Sequence, residues 1–169
     1  MFCRLSRRYV SVLSILNESV MNNQSQLNIE EAEARLSKLE GSEVTHAWRG
    51  HGSTIFLELG SLSKGDGNSR GEQTIMIEWS WRFEDQSSIL LGSFDEDEKI
   101  DKFPEMVVGK TIKKVSFFSR LKEVEIQFLD ELWLLTFSTN EGDPGWSIRL
   151  KNGEWLSASK ATLQIEYET

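Results

Sequence analysis

The chain has 169 residues, of which 38 % are hydrophobic and 27 % charged, so it has length and apolar content for one packed core and is not a disordered chain. Its formal net charge of −8 argues against nucleic acid, whose phosphates require a concentrated basic stripe; the nearest approach, Lys113, Lys114, Arg120 and Lys122, adjoins Glu123 and Glu125. A lone cysteine, Cys3, and two histidines, His46 and His51, exclude an internal disulfide and a zinc set, and no apolar run approaches the ~18 residues of a membrane span.

Residues 1–27 are expected to form an extension outside the fold. They open with Arg4, Arg7 and Arg8, and Ser11 and Ser14 interrupt the apolar run that follows. No small-residue cleavage site comes after it, so the pattern is not that of a signal peptide, and Met21 is a candidate start. A helix follows: Asn28 caps it, Glu31 completes a capping box, and Ile29, Ala32, Leu36 and Leu39 line one face as far as Gly41. Strands are expected over 44–49 and 54–59, then a Gly/Ser-rich loop over 61–72. Ile75, Ile77, Trp79, Trp81 and Phe83 alternate with Met76, Glu78, Ser80, Arg82 and Glu84. That period of two predicts one long strand with a single buried face, against which residues 87–93 fold back.

The second half opens in the same way. Asp95 is a candidate cap with Glu98 behind it, and Ile100, Phe103 and Val107 form a stripe that Pro104 interrupts. Strands are expected over 111–118, 123–128, 132–138, 146–150 and 154–158, with a last edge strand over 161–167. Asn152-Gly153 predicts a type I′ hairpin turn.

Three landmarks recur at a near-constant interval. Trp79-Ser80-Trp81-Arg82-Phe83 returns 67 positions on as Trp146-Ser147-Ile148-Arg149-Leu150; Asp95 follows Asn28 by 67, and Gly109 follows Gly41 by 68. The expected fold is therefore α+β and mainly antiparallel β. It comprises two tandem helix-plus-meander repeats, 28–93 and 94–169, about a pseudo-twofold axis in one compact domain. Trp79, Trp81 and Phe83 should then be buried with Trp146, Ile148 and Leu150.

Chemistry-bearing patterns are sparse. No serine lies in a nucleophile elbow, and the two histidines flank a turn at a spacing that suits no metal pair. Gly65-x-Gly67-x-x-x-Gly71 lacks the strand, helix and Lys-Ser/Thr ending of a phosphate loop. Asp95-Glu96-Asp97-Glu98 fails the calcium-loop pattern, because Lys99 holds the next alternate position. These acids, with Asp101, read as helix-start residues and as an acidic docking patch for a basic partner. Arg82 and Arg149 stand at matching places, with Glu78 four residues before Arg82. They read either as salt-bridge residues or as a symmetric polar patch that takes an anion or a partner's carboxylates. Trp48, Trp133 and Trp155 fall in strand patterns and read as core, or else as the wall of a pocket between the repeats.

Glu78-Trp79-Ser80-Trp81-Arg82-Phe83-Glu84, Gly92-Ser93, Gly109-Lys110-Thr111-Ile112 and Trp146-Ser147-Ile148 resemble elements of small bacterial proteins of unknown function. That resemblance spans about residues 41–158 and carries no active site. In size, acidity and β content the chain is similar to immunity proteins that neutralise toxins, which implies a cytoplasmic, non-enzymatic, acidic protein-binding module with a basic protein partner. The alternative is a small-ligand-binding protein with a pocket between the repeats. Neither reading requires a cofactor or a metal.

Overall fold

Asn28 sets the first helix as its side chain predicts. In the computed structural model, which describes residues 25–64, 67–139 and 145–167, strand β1 (Ser25–Leu27) leads into helix α1 (Ile29–Leu36) and a 3-10 turn at Ser37–Leu39. Asn28 Oδ1 accepts the Glu31 N–H at 2.9 Å, and the Glu31 carboxylate accepts the Asn28 N–H at 3.1 Å. Two helix-start donors are thereby satisfied. Ala32, Leu36 and Leu39 are buried, whereas Ile29 is exposed at the start of the helix.

The strands β2 (Val44–Arg49), β3 (Ile55–Leu59) and β6 (Gln73–Ile77) form an antiparallel meander. A small hairpin, β4 (Ser63–Lys64) with β5 (Ser69–Arg70), lies between β3 and β6 in sequence. The chain then leaves for a second sheet as β7 (Trp81–Glu84) and β8 (Ile89–Gly92). Helices α2 (Asp97–Ile100) and α3 (Phe103–Val107) precede a second meander, β9 (Ile112–Phe117), β10 (Val124–Phe128) and β11 (Trp133–Thr136). The chain returns to the first sheet as β12 (Trp146–Arg149), β13 (Glu154–Ser159) and β14 (Thr162–Tyr167). The large sheet runs β1-β14-β13-β12-β6-β3-β2 and the small one β8-β7-β11-β10-β9.

Each meander thus receives strands from the other half of the chain, β12 beside β6 and β7 beside β11. Helices are exchanged as well: α1 and its 3-10 turn lie against β9, and α3 against β2. Where β2 and β9 begin, four backbone bonds of 2.8–2.9 Å join the halves. Gly41 and Val44 donate to Ile112 and Lys110, and Gly109 and Ile112 donate to Val44 and Ser42.

One core lies between the sheets. Ile55, Leu57, Ile75, Ile77 and Ile148 face it from the large sheet, and Trp81, Phe83, Ile126, Phe128 and Leu134 from the small one. Phe103 of α3 meets Trp81 and Phe83 at ring separations of 5.2 and 5.7 Å, tilted and edge-on, an arrangement favourable to aromatic quadrupoles. No helix among the described residues is long and apolar enough to cross a membrane.

Several sequence expectations need correction. The long strand over 75–84 is two strands, because Ser80 takes a left-handed φ of 56° and turns the chain from one sheet to the other. Its odd positions stay apolar because 75 and 77 face the core from one side while 81 and 83 face it from the other. Trp81, Phe83, Trp146, Ile148 and Leu150 are buried as expected, but Trp79 lies in the crossover and is only half-buried. Trp48, Trp133 and Trp155 are also half-buried, being on outer sheet faces rather than in the core. Residues 25–27 of the expected extension form β1, which covers β14, so β14 is not an edge strand; the rest of the extension lies outside the described residues. At Asn152-Gly153 only Gly153 has positive φ, and its N–H reaches Leu150 O at 3.0 Å. This is the three-residue loop that ends in a left-handed glycine. The turn with two positive φ values is at Lys160 and Ala161, between β13 and β14.

Candidate functional site

The acidic run expected as a docking patch sits where β8 passes into α2. Asp95 does not cap the helix; Glu96 holds that position, without a side-chain bond. Instead, Asp95 Oδ2 accepts the Gly92 N–H at 2.8 Å, and the Asp95 N–H returns to Gly92 O at 3.1 Å. Gly92 lies on β8, the last strand of the small sheet, so Asp95 occupies backbone groups that a further strand would need. Asp97 and Asp101 are bound by Arg49, whose guanidinium meets their carboxylates at 2.5 and 2.8 Å. These hydrogen bonds, to Asp101 first and then Asp97, raise the Arg49 pKa further above its ordinary value. Glu96 and Glu98 remain exposed.

Phe94 stands immediately before this run and is 86 % exposed. No charged residue occurs from Gln86 to Phe94, a neutral stretch in a chain rich in charge. Phe94, Ile89, Trp81 and Phe137 border an apolar cleft of about 360 Å³ that Arg82 and Asp95 also line. Arg82 lies over the Phe137 ring at 4.6 Å and pairs with Glu84, so a cation–π contact and an ion pair hold it in place.

Arg149 has a different fate from Arg82, and the two form no common patch. Arg149 lies on the outer face of the large sheet and is only 8 % exposed, whereas Arg82 lies on the small sheet. Arg149 Nη2 donates to Gly71 O at 2.6 Å and to Thr74 Oγ1 at 3.3 Å. Glu78 falls in the crossover before Ser80, so it no longer shares a strand face with Arg82.

Compared with known proteins, the chain matches no family model, no curated protein and no solved structure.

A second concave place surrounds Glu58, which sequence reasoning passed over. Glu58 is 3 % exposed, and its carboxylate accepts the Gly71 N–H at 2.9 Å, the Thr74 hydroxyl at 2.7 Å and Trp48 Nε1–H at 3.4 Å. Thr74 therefore donates to Glu58 and accepts from Arg149, while Gly71 is held at its N–H by the one and at its carbonyl by the other. A Cβ on Gly71 would lie 2.6 Å from the Leu59 backbone N and O. Gly71→Ala is expected to push the chain off β3 and to destabilise by about 1–3 kcal/mol, measured by urea unfolding; an unchanged midpoint would show that this clamp is slack. The signal in the sequence was a single carboxylate inside the apolar strand Ile55-Phe56-Leu57-Glu58-Leu59.

Among the described residues no group of three His, Cys, Asp or Glu is placed to hold a metal ion.

Proposed function

We propose that this chain is a non-enzymatic, acidic protein-binding module of the toxin-neutralising immunity type, acting in the cytoplasm on a basic protein partner. Its docking surface is the cleft at β7 and β8 together with the acidic ridge beside it. Phe94 is the observation that carries the reading. A phenyl ring held 86 % in water gains free energy when a partner covers it. The adjoining cleft takes one large apolar side chain of that partner. Glu96 and Glu98, exposed on the next turn, then meet Lys or Arg on its surface, and the net charge of −8 steers the approach. At the β8 edge, Asp95 already occupies the Gly92 backbone groups, which disfavours addition of a strand there.

Affinity capture from the native host, with the tagged full chain as bait, tests this. A stoichiometric basic protein should be retained; Phe94→Ala should weaken capture at least about tenfold, and Glu96→Gln with Glu98→Gln should reduce its salt sensitivity. All three residues are exposed, so the fold should survive. Recovery of no stoichiometric partner, or capture indifferent to these changes, would remove the reading.

We also infer that the chain is a duplicated unit, 28–93 and 94–169, about a pseudo-twofold axis between Gly41 and Gly109. The four bonds that join the halves support it, since each residue in one half is answered 68 positions later: Gly41 by Gly109, Ser42 by Lys110, Val44 by Ile112. Both glycines take positive φ, +79° and +84°, a conformation open to glycine at no steric cost. The exchanged helices and strands follow the same symmetry.

A further inference from the structure

We propose that the chain's own residues 1–24, which lie outside the described residues, occupy the docking surface at β7 and β8, with Tyr9 in the cleft and Arg7 and Arg8 on the acidic ridge. This rests on the docking reading given above and adds that the surface is covered until a partner displaces the segment. The cleft specifies its occupant. Its polar side chains already have partners: the Ser80 and Thr139 hydroxyls meet at 3.0 Å, Ser93 Oγ accepts the Trp81 N–H at 3.1 Å, Asp95 accepts the Gly92 N–H at 2.8 Å, and Arg82 pairs with Glu84. What remains for an incoming group is apolar, chiefly the side chains of Trp81, Ile89, Phe94 and Phe137. A volume of about 360 Å³ takes one large side chain, and aromatic walls favour a ring set edge-on or offset against them. The ridge beside the cleft is acidic on balance. Its five acids from Asp95 to Asp101, set against Lys99, Lys102 and Arg49, leave two negative charges.

Residues 1–24 carry both parts of that recognition chemistry. Arg7-Arg8-Tyr9 sets two cations directly before an aromatic ring. With Arg4 and the single acid Glu18, the segment has a net charge of +2, so the remainder of the chain carries −10. Opposite charges therefore draw the segment to the acidic ridge, whereas two whole copies, each at −8, repel one another. The segment also reaches. The described fold takes up the chain at Ser25, in β1 on one edge of the large sheet, and Tyr9 stands 16 positions before it. That length of chain spans up to about 50 Å, more than the roughly 40 Å diameter expected of a fold this size. A tether also supplies an effective concentration on the order of millimolar, so a contact too weak to form between separate molecules is populated within one.

A nitroxide on Cys3, the lone cysteine, tests this in the ¹⁵N-labelled full chain. The amide signals of Phe94, Glu96 and Glu98 should broaden. Dilution with nitroxide-free, isotopically unlabelled chain should leave that broadening unchanged, as a contact within one molecule requires. Arg7→Gln, Arg8→Gln and Tyr9→Ser together should abolish it; these positions precede the described fold, so the fold should survive. Phe94→Ala, with the segment intact, should lessen the broadening at Glu96 and Glu98. In affinity capture from the native host, the triple variant should retain the basic partner severalfold more strongly than the parent, whose competent fraction self-occupancy reduces. Tyr9→Ser alone, which leaves the charge unchanged, should strengthen capture in part. The two readings fail separately: broadening with no partner retained by any variant removes the docking reading and leaves the self-contact standing. The self-contact falls if the three amides do not broaden, if dilution removes the broadening, or if the triple variant broadens them as strongly. It also falls as a cover for the surface if parent and variants retain a partner equally.

Discussion

Trp81→Ala is expected to remove about 3–5 kcal/mol of stability, and Trp79→Ala only about 1 kcal/mol, although the two residues stand two apart in the same alternating run. Trp81 is 2 % exposed, touches Phe103 in the core, and donates its indole N–H to Ser53 O at 2.7 Å. Truncation would therefore open a cavity between the sheets and leave the half-buried Ser53 carbonyl without this donor. Trp79 sits in the crossover and keeps part of its ring in water, so its loss creates no enclosed void. Urea unfolding followed by far-UV circular dichroism gives both values. At about 2–4 °C per kcal/mol for a chain of this size, the Trp81 variant should melt on the order of 10 °C below the parent. Equal losses for the two variants would contradict the division of the run at Ser80.

That division shows how far the fold was legible from residues alone. Alternation reports which residues are buried, and it did so correctly for Ile75, Ile77, Trp81 and Phe83. It does not report which neighbour a strand pairs with. The left-handed Ser80 is specified by tertiary partners: its carbonyl accepts the Phe137 N–H and its hydroxyl meets Thr139 at 3.0 Å. Both partners lie more than fifty residues away, so no local pattern marks the turn. The helix at Asn28 was legible because a capping box is a local device. Asp95 offered the same local cue and was drawn instead to the Gly92 N–H behind it, which removes the acid from the helix start and makes it a stop for the sheet edge.

Site residues divide along the same line. Arg82 and Arg149 hold matching positions in the sequence, yet the loop ending at Gly71 covers Arg149, while the Phe137 ring and the Glu84 carboxylate hold Arg82. A loop that folds over a sheet cannot be read from strand periodicity. Phe94 carried a readable cue, an aromatic residue between a neutral stretch and four consecutive acids, and only its exposure shows that the ring is not part of the core.

Glu58→Ala is expected to cost about 3–5 kcal/mol, the range for losing one side of a buried charged network. Three donors lose their acceptor: the Gly71 N–H, the Thr74 hydroxyl and the Trp48 indole. The Arg149 guanidinium, 8 % exposed, keeps its contacts to Gly71 O and Thr74 Oγ1 but loses the carboxylate on the far side of Thr74. Glu58→Gln should fall between the parent and Glu58→Ala, since the amide oxygen retains one acceptor while the NH₂ faces donors. If Glu58, Thr74 and Arg149 act as a unit, the double variant Glu58→Leu with Arg149→Leu should lose less than the sum of its single changes, by about 0.5–3 kcal/mol. The same variants should also release Gly71, so backbone amide exchange in residues 69–73 should quicken in each. Strict additivity, with exchange at Gly71 unchanged, would mean that the two charges are buried side by side without coupling, and that the concave place around Glu58 is held by packing alone.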